Sequence, residues 1–116
     1  MEGNIMNHRL IEFGVDIVQQ QSEDRIVVAG RCYKGPIYVG DIFTAIYQLT
    51  PTKIGIDYGP SIRAGDKSVS LTVEAIRAYQ HTLDWLDEGL TAEIELSGEG
   101  AKLLESKFVL GMTRQG

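Results

Sequence analysis

Apolar and polar positions alternate with a period of two over most of this chain, the spacing that puts successive side chains on opposite faces of a strand. Ile11, Phe13, Val15 and Ile17 fall on one face of a first strand, with Glu12, Gly14 and Asp16 on the other. A polar break over residues 19–24 fits a hairpin loop, and a second strand follows over residues 25–33. Lys34-Gly35-Pro36 turns the chain into a brief strand at residues 37–39, and Gly40-Asp41 turns it again. Residues 42–48 are extended and rich in β-branched and aromatic side chains. Val69, Leu71, Val73 and Ala75 alternate with Ser70, Thr72 and Glu74 in the clearest half-buried strand. Ala92, Ile94 and Leu96 face inward in the next, and Phe108-Val109-Leu110 forms a last short one.

Three stretches depart from this alternation. Residues 50–68 contain Pro51, Gly55, Gly59, Pro60 and Gly65 and read as an irregular excursion, with a short edge strand at residues 53–58. Residues 79–86 place Leu83, Trp85 and Leu86 among Asp84, Asp87 and Glu88, which predicts a short helix with Gly89 as its left-handed stop. Residues 101–105 fit one helical turn, and residues 112–116 a frayed tail. Short strands spaced by Gly and Pro predict an all-β fold: a small closed antiparallel β-barrel of six to eight strands with one short helix. Closure removes the sheet edges that otherwise template aggregation. Gly30, inside a strand, marks a bulge or a close backbone approach at a barrel corner.

The length of 116 residues predicts one domain over residues 1–116, large enough for a single core. No apolar run approaches the ~20 residues of a membrane-spanning helix, and residues 1–10 lack the pattern of a signal peptide, so a cytoplasmic location is expected. The net charge of −5 disfavours RNA or an anionic membrane as the main partner, because phosphate binders carry a basic excess. Cys32 is the single cysteine, which excludes an internal disulfide and a cysteine-based metal site; it reads as a structural thiol. No metal or other cofactor is expected.

The run Arg25-Ile26-Val27-Val28-Ala29-Gly30-Arg31, followed by Lys34-Gly35-Pro36-Ile37-Tyr38-Val39-Gly40-Asp41, resembles the barrel domain that follows the GTPase domain in elongation factor Tu and its relatives. Leu71-Thr72-Val73-Glu74-Ala75-Ile76, residues 86–96 and Phe108-Val109-Leu110-Gly111 continue the likeness in order, over three quarters of the chain. The resemblance implies a translation-protein-like β-barrel, here as a stand-alone domain. In that family the barrel helps to hold the aminoacylated end of tRNA, and Glu74 and Arg77 match its pocket-lining acid and arginine. Read from the residues alone, these two form an exposed ion pair at a strand end, worth ~0–1 kcal/mol.

Other candidate chemistry is sparse. Gly65-Asp66-Lys67-Ser68 departs from a phosphate loop, since an acid separates glycine from lysine and a strand follows. His8 and His81 sit in polar segments without ligand-spaced companions, and Asp84, Asp87 and Glu88 read as a solvated acidic face around Trp85. Tyr33, Tyr38, Tyr47, Tyr58, Tyr79 and Trp85 exceed what a core of this size needs, and such residues are enriched at interface centres. Glu74, Arg77, Tyr79 and Trp85 are therefore the candidate binding residues. The leading expectation is a non-enzymatic module acting by protein–protein contact, with an acidic immunity-type inhibitor as one form. The alternative is a translation-associated factor that binds tRNA ends or the ribosome.

Overall fold

The computed structural model describes residues 8–54 and 57–115, with the backbone path alone for residues 52–54 and 57–60. The elements are β1 (His8–Gln20), β2 (Arg25–Lys34), β3 (Ile37–Tyr38), β4 (Ile42–Ile54) and β5 (Asp57–Ala78). They continue with β6 (His81–Leu83), β7 (Trp85–Leu86), β8 (Thr91–Glu99), a 3-10 turn at Ala101–Leu103, and β9 (Val109–Gln115). Antiparallel pairing runs β4-β9-β1-β2-β8-β5 and returns from β5 to β4. Six strands thus close into a ring, the expected all-β architecture, with β6 appended to β5. β3 and β7 form a separate two-stranded piece whose inner residues, Ile37 and Leu86, are fully buried.

Period-two alternation fills this ring. Ile11, Phe13 and Val15 of β1, Ile26, Val28 and Cys32 of β2, and Ile94 and Leu96 of β8 are buried in one cluster with Phe43, Ile46, Leu71 and Leu110. Gly30 allows the strands to coil: a Cβ there would lie 1.8 Å from the Gly14 carbonyl oxygen.

Two bulges shift the alternation and correct its reading. β1 changes register against β2 between Val15 and Ile17, so Ile17 turns to solvent and Val18 packs on the core in its place. β5 changes register against β8 between Val73 and Ala75, leaving Glu74 as the extra residue and giving Ile76 the core position. A bulge has no signature in residue spacing, so strict alternation carries Ile17 and Ala75 inward.

The expected short helix over residues 79–86 is replaced by β6 and β7. Tyr79 and Gln80 both adopt positive φ, 53° and 66°, and form the two-residue loop of a hairpin closed by Ala78 and His81. The helix-like spacing of Leu83 and Leu86 arises because two different short strands each send one leucine inward. The only short helix among the described residues is the 3-10 turn, where one helical turn was expected.

Residues 50–68 are also regular where an irregular excursion was expected. β4 and β5 pair from Ile42 opposite Thr72 out to Ile54 opposite Asp57, with register shifts that absorb the breakers. Gly55 and Ile56, at the centre of the expected edge strand, lie outside the described residues. Nor is the C-terminal stretch a frayed tail. β9 pairs with β1 as far as Gln115 opposite His8, and Met112 is buried.

The root of the β4–β5 ribbon is tied to the ring by one buried polar contact. Tyr47 lies across β9, where a Cβ on Gly111 would come within 2.5 Å of its hydroxyl. That hydroxyl donates to the carboxylate of Glu12, which is itself only 5 % exposed. The Arg63 guanidinium covers the tyrosine ring at 3.6 Å from its centroid and pairs with Asp66 at 2.7 Å. Burial first, then the hydrogen bond and charge of Glu12, push the Tyr47 hydroxyl well above its ordinary ionisation range. Replacing Tyr47→Phe strips the buried carboxylate of this donor and should lower stability by about 1–3 kcal/mol. Denaturant unfolding measures it, and an unchanged midpoint would show that Glu12 is satisfied without the tyrosine.

Candidate functional site

The four residues singled out from sequence do not converge. Glu74, the bulged residue of β5, accepts a hydrogen bond from the Ser97 hydroxyl on β8. Arg77 donates through Nε to Glu93 at 3.1 Å and reaches Glu95 at 3.5 Å, and Glu95 also pairs with Arg25 at 2.6 Å. Glu74 and Arg77 are therefore held by β8 rather than by each other. Arg77 belongs to a ladder of opposite charges across β2, β8 and β5, whose members are half-exposed and weakly stabilising.

Tyr79 stands at the tip of the β5–β6 hairpin, 79 % exposed. It lines a cleft of about 290 Å³ with Asp16, Ile17, Ala29, Gly30, Ala78 and Ala92. Its left-handed backbone, shared with Gln80, is one that non-glycine residues rarely adopt.

Trp85 sits in a different setting. It lies directly opposite Tyr38 in the β3–β7 pair, and because Ile37 and Leu86 point inward, period two sends both aromatic rings outward. Their centroids are 6.4 Å apart, and each residue remains over 40 % exposed. Val39 and Leu90 are exposed as well, Leu90 on the same cleft as the indole. A cleft of about 450 Å³ opens beside the indole, lined by Thr82, Leu83, Asp84, Trp85, Asp87 and Leu90.

A charged clamp holds this aromatic face from behind. Arg114 of β9 grips Asp41 with both terminal nitrogens, at 2.9 and 2.6 Å, and donates to the Pro36 carbonyl at 3.0 Å. Asp41 in turn accepts from the Tyr38 amide at 2.8 Å, and the guanidinium lies 5.0 Å from the Tyr38 ring centroid. The Arg114 guanidinium is raised above its ordinary pKa, first by its hydrogen bonds to Asp41. On the other side, Glu88 accepts from the Gly35 amide at 3.1 Å and Val39 donates to the Asp84 carbonyl at 3.1 Å. Sequence reading named Tyr38 among the surplus aromatics but missed Arg114. Its role depends on pairing between residues 73 positions apart, and no local pattern announces that.

The remaining sequence candidates are scattered. His8 opens β1 and His81 opens β6, both exposed. Gly65-Asp66-Lys67-Ser68 runs within β5, with Asp66 bound to Arg63 and Lys67 over the Phe108 ring at 5.8 Å. Tyr33 is half-exposed, and the Tyr58 side chain lies outside the described residues. Among the described residues, no group of three or more His, Cys, Asp or Glu side chains is placed to hold a metal ion.

No protein-family model and no curated protein matches this chain. Among solved structures, the apo form of translation elongation factor SelB from Methanococcus maripaludis is similar, with a TM-score of 0.63 and 18 % identity over 88 % of this chain. The chain spans 18 % of the length of that structure. At this identity the likeness is one of fold alone.

Cys32 is fully buried beneath the β3–β7 piece, and its thiol is pushed up to about 11, first by burial and then by the charges of Glu88 and Asp87. The native thiol should resist alkylation at pH 8 and react once the chain is unfolded. Because its folded pKa lies above the ordinary 9.0, the unfolded chain gives up this proton first as pH rises. Its contribution to stability is full below about pH 9 and falls away between about 9 and 11. Denaturant midpoints across that window, with Cys32→Ala flattening part of the decline, would test this.

Proposed function

We propose that this chain is a non-enzymatic binding module that acts through protein–protein contact at the Tyr38–Trp85 face. The observation that carries this reading is the exposed aromatic pair, held in place by the Arg114–Asp41 clamp. Tyr and Trp are enriched among the few residues that dominate interface energy, and a pre-fixed pair loses little freedom on binding. The acidic residues Asp84, Asp87 and Glu88 around it favour a basic partner, as does the net charge of −5. An immunity-type inhibitor that masks a basic surface is the form of this reading that the charge best supports. Burial of the one thiol and the openness of the acidic cleft favour binding over catalysis. A cytoplasmic location belongs to the same reading. No helix among the described residues is long and apolar enough to cross a membrane.

Capture from native lysate by the immobilised protein, compared across variants, tests it. A specifically retained protein should be lost by about tenfold or more on Trp85→Ala, and kept on Tyr79→Ala. Retention unaffected by both Trp85→Ala and Tyr38→Ala would overturn the reading.

The second reading, a translation-associated factor that binds tRNA ends or the ribosome, is favoured by the fold shared with SelB. It predicts salt-sensitive RNA binding that weakens on Glu74→Ala or Arg77→Ala. Absence of RNA binding at low salt would remove it.

A further inference from the structure

Two arginines on the outside of this protein are bound in the same way, each between an aromatic face and a carboxylate. Arg63 lies over Tyr47 and pairs with Asp66. Arg114 lies over Tyr38 and pairs with Asp41. A third aromatic–carboxylate set is present at the cleft beside Trp85, where Asp84 and Asp87 share the wall with the half-exposed indole. Among the described residues no arginine or lysine lines it: the lining is Thr82, Leu83, Asp84, Trp85, Asp87 and Leu90.

We propose that this cleft receives an arginine side chain from the partner protein, presented next to an apolar residue. The inference rests on the Tyr38–Trp85 face being the contact surface and adds the chemistry of its central pocket. Tryptophan is the strongest cation–π acceptor among the side chains, and a planar guanidinium stacks on it while pairing with carboxylates at its edge. Asp87 spends one oxygen on the Glu88 amide at 2.9 Å, which fixes its direction and leaves the other oxygen for a ligand. Among the described residues the Asp84 carboxylate has no hydrogen-bond or ion-pair partner. Leu83 and Leu90 supply the apolar floor and rim that a leucine or valine beside the arginine would cover. Lysine fits the charge but not the stacking, and an RNA backbone carries the wrong sign for the two acids.

Trp85 is the only tryptophan in the chain, so its fluorescence reports this cleft alone. The folded protein is titrated with acetyl-Leu-Arg-Leu-amide, with the same peptide carrying citrulline for arginine, and with a short single-stranded RNA. Citrulline keeps the shape of arginine and removes its charge. A saturable change with the arginine peptide is expected, weakened about tenfold by citrulline and equally by Asp84→Asn with Asp87→Asn. Equal binding of the citrulline peptide, no saturable change up to millimolar peptide, or a response to the RNA alone would overturn the proposal. If Trp85→Ala abolishes partner capture while the arginine peptide fails to bind, the pocket chemistry is wrong and the contact surface stands. If the peptide binds and partner capture ignores both Trp85→Ala and Tyr38→Ala, the surface assignment fails instead.

Discussion

Gly30 stands so close to the Gly14 carbonyl that no side chain fits between β1 and β2 at that point. This approach, next to the bulge before Ile17, lets the two strands coil tightly enough for a six-stranded sheet to meet itself along β4 and β5. Once the ring is closed, every inward residue finds a neighbour across a narrow interior. The β3–β7 piece then has a core to cap, and Ile37 and Leu86 bury fully against it. The outward aromatic face is a by-product of that capping, because period two gives Tyr38 and Trp85 no other direction.

Polar chemistry on the outside of the ring follows one theme. Glu12 occupies an outward position of β1, yet Tyr47 roofs it over and Arg63 roofs the tyrosine. Arg114 is likewise folded down onto Tyr38 by Asp41. Both arrangements place a guanidinium on an aromatic plane and satisfy it with a carboxylate, a combination that tolerates partial burial better than either charge alone. The charge ladder of Arg25, Glu95, Arg77 and Glu93 is the looser counterpart, exposed and mutually neutralised.

Much of the fold was legible because alternation and turn residues are local signals. The strands around Ile26, Val28, Ile94 and Leu96, the turn at Gly40, and the closed all-β class all follow from them. Bulges are not local in this sense. Ile17 and Ala75 keep the right spacing and still leave the core, because an extra residue upstream flips the phase. The same limit explains the misread helix. Leu83 and Leu86 mimic helical spacing, and the paired left-handed residues Tyr79 and Gln80 are poor advertisements for a hairpin turn that usually takes Asn and Gly. Of the site, Trp85 and Tyr38 were visible as surplus aromatics. Their adjacency, and the arginine behind them, required the ring to be closed first.

The Arg114–Asp41 clamp has a consequence for when the aromatic face exists. Tyr38, Trp85 and Arg114 come from three remote parts of the chain, and the hold of Arg114 on Asp41 and the Pro36 carbonyl forms only when β9 has docked. A chain whose last strand has not docked carries the same aromatic residues without the arginine behind them. The clamped form of this face is therefore a mark of completeness: it exists only in molecules whose last strand is in place.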